Sequence, residues 1–396
     1  MRDFEPKKMK AITFTGIRRV LEKANKMAAE GRNVVHFEIG QPDFVTPKYI
    51  RDAACEALQA GNTRYTSNYG IDPLRAAIAE KLRRENNIPA EASDVMVTVG
   101  GEEAMAAAIL ALVDAGDEVL LSDPGYSPYA DMVHIANAVP VYVPLSEENN
   151  WNFDLDELEK RITPRTTLLM LTTPGNPTGT MMDRASLERL SKICIEHDIV
   201  VVSDEAYERV LYDGNEHISI ASLPGMWERT VTIQSFSKSH SMCGFRIGYI
   251  ATSKKLMNIL IRCHQKIVLS ASSFVQDAAL AALEHEKEES AEVKHMLCEF
   301  DKRRMVIYNT FRELGIPCNK PQAAFYVFPN VSCLGMNGNE FCERFLDEYA
   351  VACVPGGEFG PNAKNNIRIS YATSIEQCVE GMERLKKFVA EIRAKQ

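Results

Sequence analysis

The residues with the clearest chemical potential lie at 235–248, which read S-F-S-K-S-H-S-M-C-G-F-R-I-G. A β-branched, apolar run at 230–233 leads in and another short run at 247–250 leads out. Lys238 is therefore expected on a loop between two short strands, where its side chain can meet a ligand. The hydroxyls of Ser235 and Ser237 and the planar cation of Arg246 suit a phosphate monoester. A reactive amine beside a phosphate site suggests pyridoxal phosphate. Taken alone, the stretch also fits a solvated surface turn, so other stretches must decide.

The elements around it alternate. Strands are expected over 95–98, 118–122, 139–143, 167–171, 199–203 and 231–234, with helical segments between most of them, including 183–197. Repeated strand–helix units of this length imply an α/β fold with a mostly parallel central sheet covered by helices on both faces. Ligands bind such sheets at the carboxyl ends of the strands. Five loops at that edge carry polar or glycine-rich sequence: Gly100-Gly101, Asp123 to Tyr126, Pro174 to Pro177, Asp204 with Tyr207, and Ser235 to Lys238. The glycine pair opens a small-residue apolar helix that must be buried, and it offers free amides and the positive end of a helix dipole to an anion.

The rest of the chain frames this sheet. Residues 1–10 read as a polar arm, 16–30 as a helix, 34–37 as a short strand and 40–44 as a tight turn exposing backbone amides. A helix begins near Pro47 and stops before Gly61, residues 61–70 have no period, and Asp72 is expected to cap a helix with Pro73 at its first position. Beyond residue 253 come helices over 254–269, 275–285 and a long one ending near 314. A smaller lobe follows, with strands at 324–328 and 366–371, a flexible glycine-rich loop from Gly356 to Asn362 and a closing amphipathic helix over 374–393. The expected division is an arm and part of a small domain at 1–46, a large cofactor-binding domain at 47–285 and a small domain at 286–396.

Composition sets outer limits. With 396 residues, 45% hydrophobic and 25% charged, the chain has enough material for two compact domains. A net charge of −9 offers no attraction to nucleic acid or an anionic membrane, so an anionic ligand must be held by a local cluster. No signal-length apolar segment starts the chain and the longest apolar stretch, 104–113, is too short to span a bilayer, so a cytoplasmic protein is expected. The ten cysteines include no C-x-x-C pair, which argues against zinc, and no metal site is expected; most should be reduced, small, buried residues.

Together, G-Q-P-D-F at 40, G-G at 100, D-P-G-Y at 123, P-G-N-P-T-G at 174, S-D-E-A-Y at 203, S-F-S-K at 235 and G-F-R-I-G-Y at 244 resemble the class I/II aminotransferases of fold type I. The likeness runs over nearly the whole chain in order. It implies an amino-acid-metabolising transaminase using pyridoxal 5′-phosphate, with an L-amino acid donor and 2-oxoglutarate as the expected acceptor. Lys238 is implied as the imine-forming lysine and proton carrier, and Asp204 as the partner of the pyridine nitrogen. Tyr207 and Asn176 are implied as partners of the cofactor's phenolic oxygen, and Tyr126 as the aromatic stacked on its ring. Gly101 and Glu102, through their amides, and Ser235, Ser237 and Arg246 are implied as the phosphate cup. Tyr65 is implied to reach the phosphate of a neighbouring subunit, hence a homodimer. Arg368 matches the arginine that clamps the substrate carboxylate, with Gly40 assisting through its backbone and Asn176 nearby.

Three positions depart from the commonest pattern: His240, Cys243 and Phe245. None removes a required charge, and His240 is expected to be structural. The donor stays open among aspartate, aromatic amino acids and alanine. Aspartate would need a second cation, with Lys266 or Arg18 as candidates; an aromatic or aliphatic donor would need an apolar wall, with Phe14 and Ile17 as candidates. A carbon–sulfur β-lyase or a cyclopropane-forming synthase would keep the same central residues, and a non-catalytic regulatory protein is a more distant alternative.

Overall fold

β-Branched and aliphatic runs build a seven-stranded sheet at the centre of the protein. The computed structural model describes residues 4–12, 16–286 and 291–395. In chain order the strands are β1 (Val35–His36), β2 (Val95–Thr98), β3 (Glu118–Asp123), β4 (Val139–Pro144), β5 (Thr166–Thr172), β6 (Val200–Asp204), β7 (Thr230–Ser235), β8 (Gly248–Thr252), β9 (Tyr326–Val327), β10 (Val351–Ala352), β11 (Val354–Pro355) and β12 (Ile367–Ser370). The large sheet has the order β2-β8-β7-β6-β5-β3-β4. Only β8 runs against its neighbours, pairing antiparallel with β2 and β7. The carboxyl ends of β2, β3, β5, β6 and β7 therefore share one edge, as the alternation in the sequence implies.

Side chains alternate across the sheet because successive strand residues face opposite sides. Met96, Leu168, Met170, Val202, Val231 and Ile250 face the helix Gly100–Leu112 and the helix Lys254–Ile267. Leu169, Leu171 and Val201 face the opposite layer, including Leu187, Leu190 and Ile193 of the helix Arg184–Glu196. The alanine-rich helix after Gly100 is buried, as its composition requires.

The smaller lobe draws on both chain ends. β1 pairs parallel with β10, while β12 lies between β11 and β9. An aromatic core of Phe37, Phe300, Phe325, Phe341, Phe345 and Phe388 holds these strands to the helices Ala291–Glu313, Gly338–Tyr349 and Ile375–Ala394.

Three local expectations need correction. Lys238 lies on a one-turn helix, Phe236–Ser239, because Ser235 Oγ caps it by accepting the Ser237 N–H at 3.2 Å. Asp72 is the first helical residue, not the cap; Ile71 precedes the helix and Asp72 bonds to Arg75 at 2.9 Å. The stretch from Gly356 to Asn362 is not a loose loop but two short 3₁₀ turns. Asn362 ties it down by donating to the carbonyls of Asp123, at 3.1 Å, and Leu145, at 2.6 Å. No described helix is long and apolar enough to cross a membrane.

Behind the edge of β6 and β7 lies a buried charge network. Lys81 Nζ bonds to Glu208, to Asn86 Oδ1 at 2.8 Å and to Gln234 Oε1 at 3.1 Å. Glu205 accepts from Ser203 at 2.9 Å and Ser219 at 2.7 Å, and His217 Nε2 lies 2.9 Å from it. Burial alone would push Glu208 up, but the charges of Lys81, Arg209 and His217 bring its carboxyl down to about 2. A carboxyl held low stabilises the fold above the unfolded value of 4.5, and that contribution is lost as pH falls towards 2. Lys81→Met, which removes the largest of those charges from beside Glu208, is expected to cost about 3–5 kcal/mol at pH 7 and progressively less on acidification. Urea melts at neutral and acidic pH check this; coincident wild-type and variant midpoints at pH 7 would contradict it.

Candidate active site

At the carboxyl edge of the sheet a cleft of about 280 Å³ opens between the large sheet and the smaller lobe. Gly40, Gly101, Glu102, Tyr126, Asn176, Asp204, Tyr207, Ser235, Ser237, Lys238, Arg246 and Arg368 all line it. Tyr65 does not; it is 87% exposed on the outside of its own chain.

One corner is built for an anion. The chain turns at Gly100 with φ +77°, and a Cβ there would lie 2.7 Å from Arg246 Nη2, so only glycine fits against the guanidinium. Arg246 itself adopts a left-handed conformation, φ 52°, which aims its side chain back under that turn, and its Nη1 donates to the Cys243 carbonyl at 3.1 Å. Ser235 and Ser237 share a hydrogen bond at 2.9 Å. Hydroxyls, helix-start amides and a guanidinium thus face one volume.

The opposite end carries a carboxylate. Asp204, at the end of β6, accepts the Ala206 N–H at 3.1 Å and the Tyr129 hydroxyl at 2.8 Å; Tyr129 in turn accepts from Thr172 at 2.8 Å. Desolvation raises the Asp204 carboxyl above its ordinary 3.8 despite those two donors, with the charges of Glu102 and Glu205 adding to the rise. A carboxylate under this pressure favours any cation brought beside it.

Lys238 lies between these ends, its Nζ donating to the Gly40 carbonyl at 2.7 Å. Gly40 is constrained by the floor below: a Cβ there would come within 2.4 Å of the Tyr326 hydroxyl. That hydroxyl is 2.8 Å from the Tyr207 hydroxyl, and burial pushes Tyr207 well above the usual phenol range. Tyr126 donates to the Glu102 carboxylate, which turns that charge towards the tyrosine.

Arg368, only 3% exposed, closes the cleft from β12. Its Nη2 donates to the Glu38 carbonyl at 2.7 Å and its Nη1 to Asn176 Oδ1 at 3.2 Å. The guanidinium lies 4.6 Å from the Tyr326 ring centroid and 4.9 Å from that of Phe359, and its Nε has no hydrogen-bond partner among the described residues. A fork fixed in this way is suited to a carboxylate.

Sequence reasoning missed Tyr129 and Tyr326. Tyr129 carried a signal, lying three residues after Tyr126 and so near the same face, whereas Tyr326 is hidden in an apolar strand run. His240 is buried against Phe236 and 2.7 Å from the Ser239 hydroxyl, away from the cleft lining, in keeping with a structural role. Lys266 and Arg18 are both exposed, and neither lines the cleft; Arg18 pairs with Glu22 at 2.8 Å. Ile17 lines it. Phe14 lies outside the described residues.

The model of the family described as aminotransferase class I and II matches residues 32–385. The aspartate aminotransferase of Pyrococcus abyssi is 40% identical over 94% of this chain and 95% of its own length. The aromatic-amino-acid aminotransferase 2 of Thermococcus litoralis is 38% identical over 94% of this chain and 95% of its own length. Among solved structures, the aspartate aminotransferase from Thermus thermophilus with maleate superposes with a TM-score of 0.93 at 34% identity, covering 98% of this chain and 100% of the other.

Proposed function

The chain belongs to the class I and II aminotransferase family, and on that premise we propose that it binds pyridoxal 5′-phosphate at Lys238 and moves the amino group of an aromatic L-amino acid to 2-oxoglutarate. The family uses that cofactor, and the residues present fit it. The cleft joins a corner of hydroxyls, amides and guanidinium, which suits a phosphate ester, to a desolvated carboxylate with no countercation among the described residues, with an amine between. Gly101, Glu102, Ser235, Ser237 and Arg246 would hold its phosphate, Asp204 would favour a proton on the ring nitrogen, Tyr207 and Asn176 would hydrogen-bond the phenolic oxygen, and Tyr126 would stack on the ring. Bound there, pyridoxal phosphate supplies an aldehyde that condenses with amines and a ring that withdraws electrons from the substrate Cα.

The chain's own residues do the rest. Arg368 orients the substrate by its α-carboxylate, assisted by the Gly40 backbone. Lys238 Nζ, the one amine among the described lining residues, takes the proton from the substrate Cα. Tyr326 and Tyr207 fill the floor and exclude water from beneath it.

The donor class rests on one observation: the described lining contains three cations, Lys238, Arg246 and Arg368, and each already has a task. The short side-chain carboxylate of aspartate would meet Ile17, Met105, Tyr126 and Tyr326 instead. An aromatic ring suits that wall. The second carboxylate of 2-oxoglutarate is one methylene farther from the reacting carbon than that of aspartate. Turnover of tyrosine, phenylalanine, aspartate and alanine with 2-oxoglutarate, read as oxo-acid formation, tests this. Aromatic donors should give the highest kcat/KM. Aspartate outpacing them tenfold, or pyruvate and ammonia appearing without an acceptor, would refute the reading.

Arg368→Lys keeps a charge but loses the fork. The KM of every α-amino acid donor should rise about 10- to 100-fold with kcat changed far less, from the loss of one charge-assisted hydrogen bond. An unchanged KM would remove Arg368 from this role. The homodimer, with Tyr65 contributing to the partner's site, and the division of the chain at 46 and 285 belong to the same proposal. The strongly exposed Tyr65 ring, free of its own cleft, supports the first.

A further inference from the structure

The helix Gly100–Leu112 packs on the helix Lys254–Ile267 along an apolar seam of Ala104, Met105 and Ala108 against Leu256, Met257 and Leu260. An ionisable pair is buried beside it. His264 Nδ1 lies 2.9 Å from Glu103 Oε1, with His264 fully buried and Glu103 8% exposed. The other oxygen of Glu103 accepts the N–H of Val99 at 3.1 Å. Val99 is the residue immediately before the helix, and Gly100 follows in the left-handed region. This hydrogen bond therefore fixes the turn that aims the Gly101 and Glu102 amides into the cleft.

The geometry points to Glu103 and His264 as positioning residues for the anion-binding turn: His264 holds Glu103, Glu103 holds the Val99 N–H, and the turn presents its amides to the phosphate of the cofactor. The inference rests on the reading of that corner as a phosphate site. A carboxyl buried beside an apolar seam keeps its orientation only with a polar partner. His264 supplies one from the last turn of its helix, its Nδ1 2.9 Å from Glu103 Oε1. Its Nε2 has no hydrogen-bond partner among the described residues, so the ring's polar contact there is with Glu103. Without His264 the Glu103 side chain is free to turn away, Val99 loses its acceptor, and the turn relaxes. Neither residue itself lines the cleft, so both act through the backbone.

The test uses the cofactor-free protein and two probes, pyridoxal 5′-phosphate and pyridoxal, which differ only in the phosphate. Wild type should bind the phosphorylated probe much more tightly. His264→Ala should weaken pyridoxal phosphate about tenfold, the scale of one lost hydrogen bond to a charged group, and leave pyridoxal unchanged. His264→Asn, whose amide N–H occupies the place of Nδ1–H, should restore most of the loss; His264→Gln, which mimics Nε2, should not. Parallel weakening of both probes, unchanged binding of both, or equal behaviour of the asparagine and glutamine variants would overturn the inference. The asparagine–glutamine comparison decides the matter if the alanine variant does not fold. A wild type that binds the two probes alike would instead refute the phosphate site itself.

Discussion

Replacing Lys238 by alanine is expected to lower kcat/KM for transamination by about 10⁴-fold or more, the upper end of what a positioned proton-transfer group contributes. The expectation follows from position. Lys238 Nζ is held 2.7 Å from the Gly40 carbonyl by a one-turn helix whose cap is Ser235, so the amine is fixed before any substrate arrives. No other described lysine lines the cleft, so no amine can stand in for it. The loss should fall on kcat, because Arg368, Asn176 and the anion corner that bind substrate and cofactor stay in place. Oxo-acid formation under saturating cofactor measures it. Activity within tenfold of wild type, in a variant with an unchanged circular dichroism spectrum, would contradict the role.

Asp204→Asn should separate function from stability. Without a fixed negative charge the ring-nitrogen proton is no longer favoured, and kcat/KM should fall by about 10²- to 10³-fold, the scale of one lost preorganised electrostatic contact. The same substitution should stabilise the cofactor-free protein at neutral pH. Desolvation raises the Asp204 carboxyl above 3.8, so the folded state holds its proton more tightly than the unfolded chain does. A carboxyl raised in this way lowers stability as pH climbs through and beyond the unfolded value. Asparagine escapes the penalty, and the Tyr129 hydroxyl can accept from its amide by reversing its bond to Thr172 and donating to that hydroxyl. The gain in Tm should be present at pH 7 and vanish near pH 3.8 and below. A cofactor-free variant less stable than wild type at pH 7 would show that Asp204 is not under this strain.

Much of this arrangement is legible in the sequence because the chemistry sits at strand ends, where short-range signals are strong. Gly100-Gly101, Asp204 and Ser235 to Lys238 each follow a run of apolar, β-branched residues, and parallel connection brings those ends together. Tertiary context set the details. The sequence places Lys238 in a loop, but a single capping hydroxyl, Ser235 Oγ, accompanies one helical turn there. The strands β10 and β11 are two residues long, too short for any period, and the glycines near 356 read as freedom until Asn362 is seen bonded to Asp123. The helix Gly338–Tyr349 was legible and overlooked: Asn337 caps it by accepting from Glu340, and Phe341, Cys342, Phe345 and Leu346 form its buried stripe. Long-range partners left no local trace. Glu103 and His264 stand 161 positions apart, and nothing in either neighbourhood hints at the other.

The most direct measurement is reductive trapping. Protein loaded with pyridoxal 5′-phosphate is treated with borohydride, digested and read by mass spectrometry. The phosphopyridoxyl group should be found on Lys238 in stoichiometric amount, and prior addition of an amino-acid donor should abolish the label. A label spread over surface lysines, or confined to a lysine outside the cleft, would contradict a site built around Lys238 and Asp204.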